Sequence, residues 1–381
     1  MLPERTGRDV LVLLTWFAQH NQRWWFQMNR LMGEAGQGGG EAHELLRTFE
    51  RIRLGNREDW YEEFRVLADL TAAAGREALD TGHRVTARQH LLRACNYYRA
   101  AELFMASNDP HRPAVYAECL RAFADAAPLF SPALERVEVP FEDGLLPGYF
   151  ALPADGWEEP GPVLIYVGGV DVFKETLFFL GAAEALRRGM AILVVDGPGQ
   201  GETLRLRGKT MVPDYERVVQ ADVDYLLRRP EVDRGRVGLI GRSLGGYYAV
   251  RAAAHERRIR ACVVFGACYD IGEVYELWTP ERRRHLESLL GVQDEQTARD
   301  KFAAFHLEGL GQLVRCPVLV VHAEDDPYVP VAHAHRTFEQ LGGEKALRVY
   351  RSGEPGSMHC QYDNFPQTLS YMCDWLLDHL Q

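Results

Sequence analysis

Apolar positions in the first third of the chain recur at helical spacing. Leu11, Leu14, Phe17, Trp24, Met28 and Leu31 fall on three-, four- and seven-residue steps, broken once near Asn21. GQGGG at 36–40 is a flexible break. A second helical pattern runs over 41–53. A third covers EDWYEEFRVLADLTAAAGREAL, with Trp60, Phe64, Leu67 and Leu70 on one face. A fourth is TARQHLLRACNYYRAAELFM, with Thr86 placed to cap it, and a fifth runs from Pro113 to about Phe130. No strand pattern interrupts them, so residues 1–130 are predicted to form a helical domain. No self-similarity at repeat length is present, so a solenoid is not supported.

The pattern changes at Ser131-Pro132. LERVEVPF and LPGYFAL alternate apolar and polar residues around EDGL, the signature of a hairpin. Fully apolar runs follow: PVLIYV at 162–167, AILVVD at 191–196, VGLI at 237–240, ACVVFG at 261–266, PVLVVH at 317–322 and ALRVY at 346–350. Continuous Val/Ile/Leu runs alternating with helices predict a mostly parallel sheet covered on both faces. Residues 131–381 are thus read as an α/β domain of eight strands, two of them in the hairpin. Helices are expected near 174–189, 213–229, 245–256, 332–341 and 364–380. The stretch at about 270–312 is too long for a plain connection and is read as an inserted helical cap.

The richest segment chemically is VGLIGRSLGGYYAV. Gly241-Arg242-Ser243-Leu244-Gly245 fits G-x-S-x-G between a strand and a helix. On such a sharp turn a flanking side chain would clash, and the serine hydroxyl stands exposed with the helix dipole behind it. A glycine-rich strand–helix turn without chemistry is the bland alternative. Carboxylates just past a later strand, in HAEDDPYVP, supply an acid; Asp326 is chosen over Asp325 by the H-x-x-x-D-x-x-V-P spacing. His359, in the glycine-containing loop before the final helix, supplies a base. The order Ser243, Asp326, His359 is one of the known chain orders of a nucleophile–base–acid triad. An oxyanion hole needs two backbone N–H groups. Leu244 gives one; Val170 in VGGVDVFKE gives the other, with Gly169 as the alternative. Asp196-Gly-Pro-Gly-Gln-Gly201 lacks the Lys-Ser/Thr of a phosphate loop and reads as a tight loop after a strand.

Composition narrows the classes further. Forty-three basic and 54 acidic residues give a net charge of −11, against a nucleic-acid surface or an anionic membrane. The seven cysteines are odd in number and contain no C-x-x-C, so free buried thiols of a cytoplasmic protein are expected. No signal peptide or membrane-spanning run is recognisable. Neither H-E-x-x-H nor a dinucleotide fingerprint occurs, so no metal and no cofactor are expected.

The strand order, the serine turn, the acid loop, the histidine loop and D-G-P-G-x-G resemble the α/β-hydrolase superfamily over roughly residues 132–381. The front end, with GHRVTARQHLLRACNYYRAAELFM, the hairpin and GGVDVFKE, is similar to the 2,6-dihydroxypseudooxynicotine hydrolase group and its fungal polyketide-shortening relatives. That resemblance implies an α/β-hydrolase fold with an N-terminal helical domain and a cap. It also implies hydrolysis of a carbon–carbon bond beside a ketone, in a β-diketone or acylated aromatic small molecule. An acidic residue of that group has no fixed register here, with Glu273 and Glu276 both near. Carboxylic ester hydrolysis or acyl transfer is the alternative chemistry. A silent binding module is disfavoured by the intact set, and a dehalogenase by the serine at the turn. Residues 1–130 are expected to help enclose the site, a homodimer contact or plain stabilisation being the other uses.

Overall fold

The computed structural model describes residues 21–53, 55–106, 108–154 and 160–381. The chain divides between Phe130 and Ser131 into two compact units. The first holds helices Gln22–Ala35, Ala42–Arg51, Arg57–Asp80, Arg84–Glu102 and Arg112–Ala126. The break near Asn21 is a cap: its side chain accepts from the Trp24 N–H at 3.3 Å. Leu11, Leu14 and Phe17 lie outside the described residues.

Two expectations fail here. Thr86 does not cap its helix, which begins at Arg84 behind His83 and has no side-chain cap bond. Leu70 is 67% exposed; the buried stripe of Arg57–Asp80 runs through Trp60, Phe64, Ala68, Thr71, Ala72, Gly75 and Ala78. The reason is close helix packing, since a Cβ on Gly75 would meet Leu91 Cγ at 2.9 Å. Small residues therefore take the interface and the leucine is turned out. Trp24, Trp60 and Phe104 pack with centroids 4.8–4.9 Å apart, and Trp60 Nε1 donates to Ala100 O at 2.7 Å. Buried Glu34 sits between Arg30 (2.7 Å) and Arg99 (2.9 Å). Burial would raise its carboxyl, but Arg99 and Arg30 outweigh burial and hold it below the usual range.

The second unit is built on eight strands: β1 Glu135–Phe141, β2 Gly144–Ala151, β3 Gly161–Val167, β4 Ala191–Val195, β5 Val232–Arg242, β6 Ile259–Phe265, β7 Val318–Ala323 and β8 Lys345–Tyr350. Their order is β1-β2-β4-β3-β5-β6-β7-β8. The hairpin strand β2 runs antiparallel to both β1 and β4, and the remaining neighbours are parallel. Residues of β3, β4, β6 and β7 are almost all buried, as continuous apolar runs require. Helix Phe365–His379 packs beside Ala183–Arg187, and Glu216–Leu226 beside Leu244–His255. The helix expected over 174–189 is interrupted: Lys174–Leu177 and Ala183–Arg187 flank a π-turn in which Gly181 has φ 137°. Between β6 and β7 lie helices Ile271–Leu277, Pro280–Leu290 and Glu295–Phe302.

Candidate active site

Strand β5 ends at Arg242 and helix Leu244–His255 begins two residues later, so Ser243 alone makes the turn, at φ 53° and ψ −122°. A non-glycine residue held there costs about 1–3 kcal/mol of strain and persists only where its surroundings fix it. They do. A Cβ on Gly241 would stand 2.2 Å from Gly245 O, and one on Gly245 would stand 2.3 Å from Val167 O. Both glycines are thus demanded by backbone contact.

The loop after β7 carries Asp326, whose Oδ1 accepts from the N–H groups of Tyr328 and Val329, both at 2.9 Å. These bonds aim Oδ2 at His359, whose Nδ1 lies 2.6 Å away. His359 Nε2 lies 3.0 Å from Ser243 Oγ. Asp325 is exposed. The structure therefore brings Ser243, Asp326 and His359 into one hydrogen-bonded line and leaves Asp325 outside it. Asp326 and His359 are buried while Ser243 is partly open. The Tyr328 ring stands edge-on to the imidazole, centroids 5.3 Å apart.

Burial disfavours the charged imidazole, but the Asp326 carboxylate and, after it, Cys360 outweigh burial and raise His359 to about 10. Asp326, itself buried, is held below the usual carboxylate range chiefly by the same histidine. His322 lies behind the acid, its Nε2 2.9 Å from Val329 O and 3.5 Å from Asp326 Oδ2. Burial pulls the His322 imidazole below its usual value.

The oxyanion candidates sit at the turn and at the loop after β3. A Cβ on Gly169 would lie 2.8 Å from Ser243 Cβ, so this loop passes directly against the serine.

Sequence reasoning missed what holds that loop. Lys174, wholly buried, has its Nζ 2.8 Å from Glu175 Oε1, 3.0 Å from Glu202 Oε2 and 3.2 Å from Asp196 Oδ2. Burial alone would lower the ammonium; Asp196, Glu175 and Glu202 outweigh it. Glu202, despite its burial, is held at about 2 by Lys174 and Arg136. A Lys-Glu pair in a sequence reads as a solvated face, so nothing marked Lys174; only the glycine-rich loop at 196–201 was a signal. Arg242, also unforeseen, is buried with its guanidinium 4.7 Å from the Tyr362 ring and 5.4 Å from Phe265. All seven cysteines are buried. Among the described residues no His, Cys, Asp or Glu cluster could hold a metal ion, and no helix is long and apolar enough to cross a membrane.

Comparison with known proteins gives a consistent result. The Esterase FrsA-like family matches residues 41–381. Hydrolase acrC of Aspergillus aculeatus is 31% identical, covering 92% of this chain and 95% of its own. The 20-hydroxy-prefusarin hydrolase FUS2 of Gibberella moniliformis is also 31% identical, with the same coverage. The crystal structure of 2,6-dihydroxy-pseudo-oxynicotine hydrolase superposes with a TM-score of 0.82 at 28% identity, covering 92% of this chain and 95% of that one. The eight-stranded mixed sheet is accordingly that of an α/β-hydrolase. The chain belongs to the FrsA-like family of α/β-hydrolases, and it is a hydrolase.

Proposed function

We propose that the chain is a serine hydrolase in which Ser243 attacks a carbonyl carbon, His359 is the general base and Asp326 orients the imidazole. The observation that carries this reading is the pair of contacts made by His359, 2.6 Å to Asp326 and 3.0 Å to Ser243. As Ser243 Oγ bonds to the carbonyl carbon, its proton passes to His359 Nε2 and the carbonyl oxygen becomes an anion. The N–H groups of Leu244 and Val170 receive that anion. When the tetrahedral intermediate collapses, the bond to the leaving group breaks and His359 returns the proton to it. Water, activated by the same histidine, then releases the acid from Ser243.

The substrate we favour is a small aromatic or apolar β-diketone, or an acylated aromatic of polyketide type. Here the bond broken is carbon–carbon, and the leaving carbanion is held as an enolate or by the ring until protonated. Support comes from the likeness, over 92% of the chain, to a 2,6-dihydroxy-pseudo-oxynicotine hydrolase and a 20-hydroxy-prefusarin hydrolase. The esterase family match favours a second reading, in which an alcohol leaves from an ester. Acyl transfer differs only in replacing water by another nucleophile. The three helices between β6 and β7 are proposed as a cap over this chemistry.

The purified full chain, offered aryl esters and aryl β-diketones with product analysis, tests the choice. Cleavage of the diketone into an acid and a ketone, lost in Ser243→Ala, supports the first reading. Turnover of esters alone supports the second, and turnover by Ser243→Ala removes both.

A further inference from the structure

The D-G-P-G-Q-G segment at 196–201 is the one conspicuous motif that the proposed chemistry leaves without a role. Its side chains answer to the loop that carries Val170. Gln200 Nε2 donates to Gly168 O at 2.7 Å, at the entry of that loop. Gln200 Oε1 accepts from the Gly197 N–H at 3.2 Å and from the Tyr215 hydroxyl at 2.7 Å. A carbonyl on one side and an N–H on the other fix which way the amide faces. At the loop's exit, Asp196 Oδ1 accepts from the Lys174 N–H at 2.8 Å while Oδ2 accepts from the Glu202 N–H at 2.9 Å.

The glycines of the motif make room for this arrangement. A Cβ on Gly197 would lie 2.2 Å from the Tyr215 hydroxyl, and one on Gly201 would lie 2.1 Å from Asp196 Oδ2. Tyr215 continues the path: its ring stacks on Tyr248 with centroids 3.9 Å apart and planes 14° apart. Tyr248 belongs to helix Leu244–His255, whose first residue supplies the other oxyanion amide. Gln200 and Tyr215 are buried, so each bond in the path is shielded from water.

We propose that Gln200 and Tyr215 are positioning residues that index the Gly168–Val170 loop to the Leu244 helix, and so set the separation of the two oxyanion amides. This rests on the reading of Leu244 and Val170 as oxyanion donors. An oxyanion hole acts on the transition state more than on the bound substrate. Loss of the clamp therefore falls on kcat, whereas loss of a substrate contact falls on KM.

The test uses the full-length chain, a p-nitrophenyl ester and phenylboronic acid, which forms a tetrahedral adduct on an active serine. Gln200→Glu keeps the shape but removes the donor to Gly168 O. We expect kcat to fall about 10- to 100-fold, below the full loss of an oxyanion donor, with KM within about threefold. The phenylboronic acid inhibition constant should rise by the same factor as kcat/KM falls. Tyr215→Phe keeps the ring stack and loses only the hydroxyl; a smaller fall with the same signature is expected, and it decides the matter where Gln200→Glu does not fold. The proposal is overturned if Tyr215→Phe, and Gln200→Glu where folded, leave kcat unchanged, or if the loss appears in KM with boronate affinity intact. Turnover by Ser243→Ala in the same assay would instead remove the oxyanion reading beneath it.

Discussion

His359 joins the two other members of the line, so its substitution partners are the sharpest probes at the scale of single residues. Asp326 accepts two backbone bonds and faces His359 at 2.6 Å, whereas Asp325 is exposed. Asp326→Asn is expected to lower kcat by about four orders of magnitude, as loss of imidazole orientation does in serine proteases, while Asp325→Asn stays close to wild type. Steady-state kinetics on both variants checks this, and the reverse ranking would show the acid loop misread by one residue. The raised His359 also has a consequence for pH. The base must be neutral to accept the serine proton, so kcat/KM should climb along a limb above the ordinary imidazole value of 6.5. Asp326→Asn removes a carboxylate that favours the imidazolium, so its limb should move to lower pH. A limb unmoved by that change contradicts the electrostatic account. Ser243, Asp326 and His359 were legible in the sequence because each follows a strand in a short loop, where chain order restricts the choices. Lys174 and Gln200 were not, because their meaning lies in which distant backbone atoms they reach.

Among the elements, the strands read best. Six apolar runs became six sheet strands within a few residues; β3, β4, β6 and β7 are buried almost throughout, where little other composition is open to a strand, while β8 at the sheet edge is mostly half-exposed. Strand β5 is longer than its apolar run because Asp233–Arg236 are polar and partly exposed yet still extended. Helix faces read less well: Leu70 follows the helical period but points outward, because Gly75 and the alanines permit close approach of the Leu91 helix. The loop between β3 and its helix is held by a buried cation shared among three carboxylates. Lys174→Ala should therefore leave the buried Glu175 and Asp196 carboxylates without their cation, while Glu202 keeps Arg136, and cost about 3–5 kcal/mol, read as a lowered urea midpoint. An unchanged midpoint would mean that water reaches the cluster. Gly245→Ala is expected to cost about 3 kcal/mol, because its Cβ would lie 2.3 Å from Val167 O. Its unfolding curve checks this; a shift below 1 kcal/mol would contradict the tight turn.

At the scale of the whole molecule, the change of pattern at Ser131 marks where the chain divides into two compact units. Relatives such as hydrolase acrC match over 92% of this chain, and the family match begins at residue 41, so the helical front end recurs with the sheet. We expect a chain beginning at Ser131 to lose activity on the best substrate, beyond any loss of yield. A monodisperse truncation as active as the full chain would assign residues 1–130 to stability or self-association instead. Fold class and membership among the hydrolases were legible because periodicity and loop chemistry are local; the substrate is not local, since it depends on residues from many elements. The central claim is that Ser243 is the nucleophile. Labelling the full chain with a fluorophosphonate and mapping the adduct by peptide mass spectrometry tests it directly. One adduct per chain is expected, on the peptide containing Ser243, with activity lost in proportion; an adduct elsewhere, or full labelling with activity retained, would contradict Ser243 as the nucleophile.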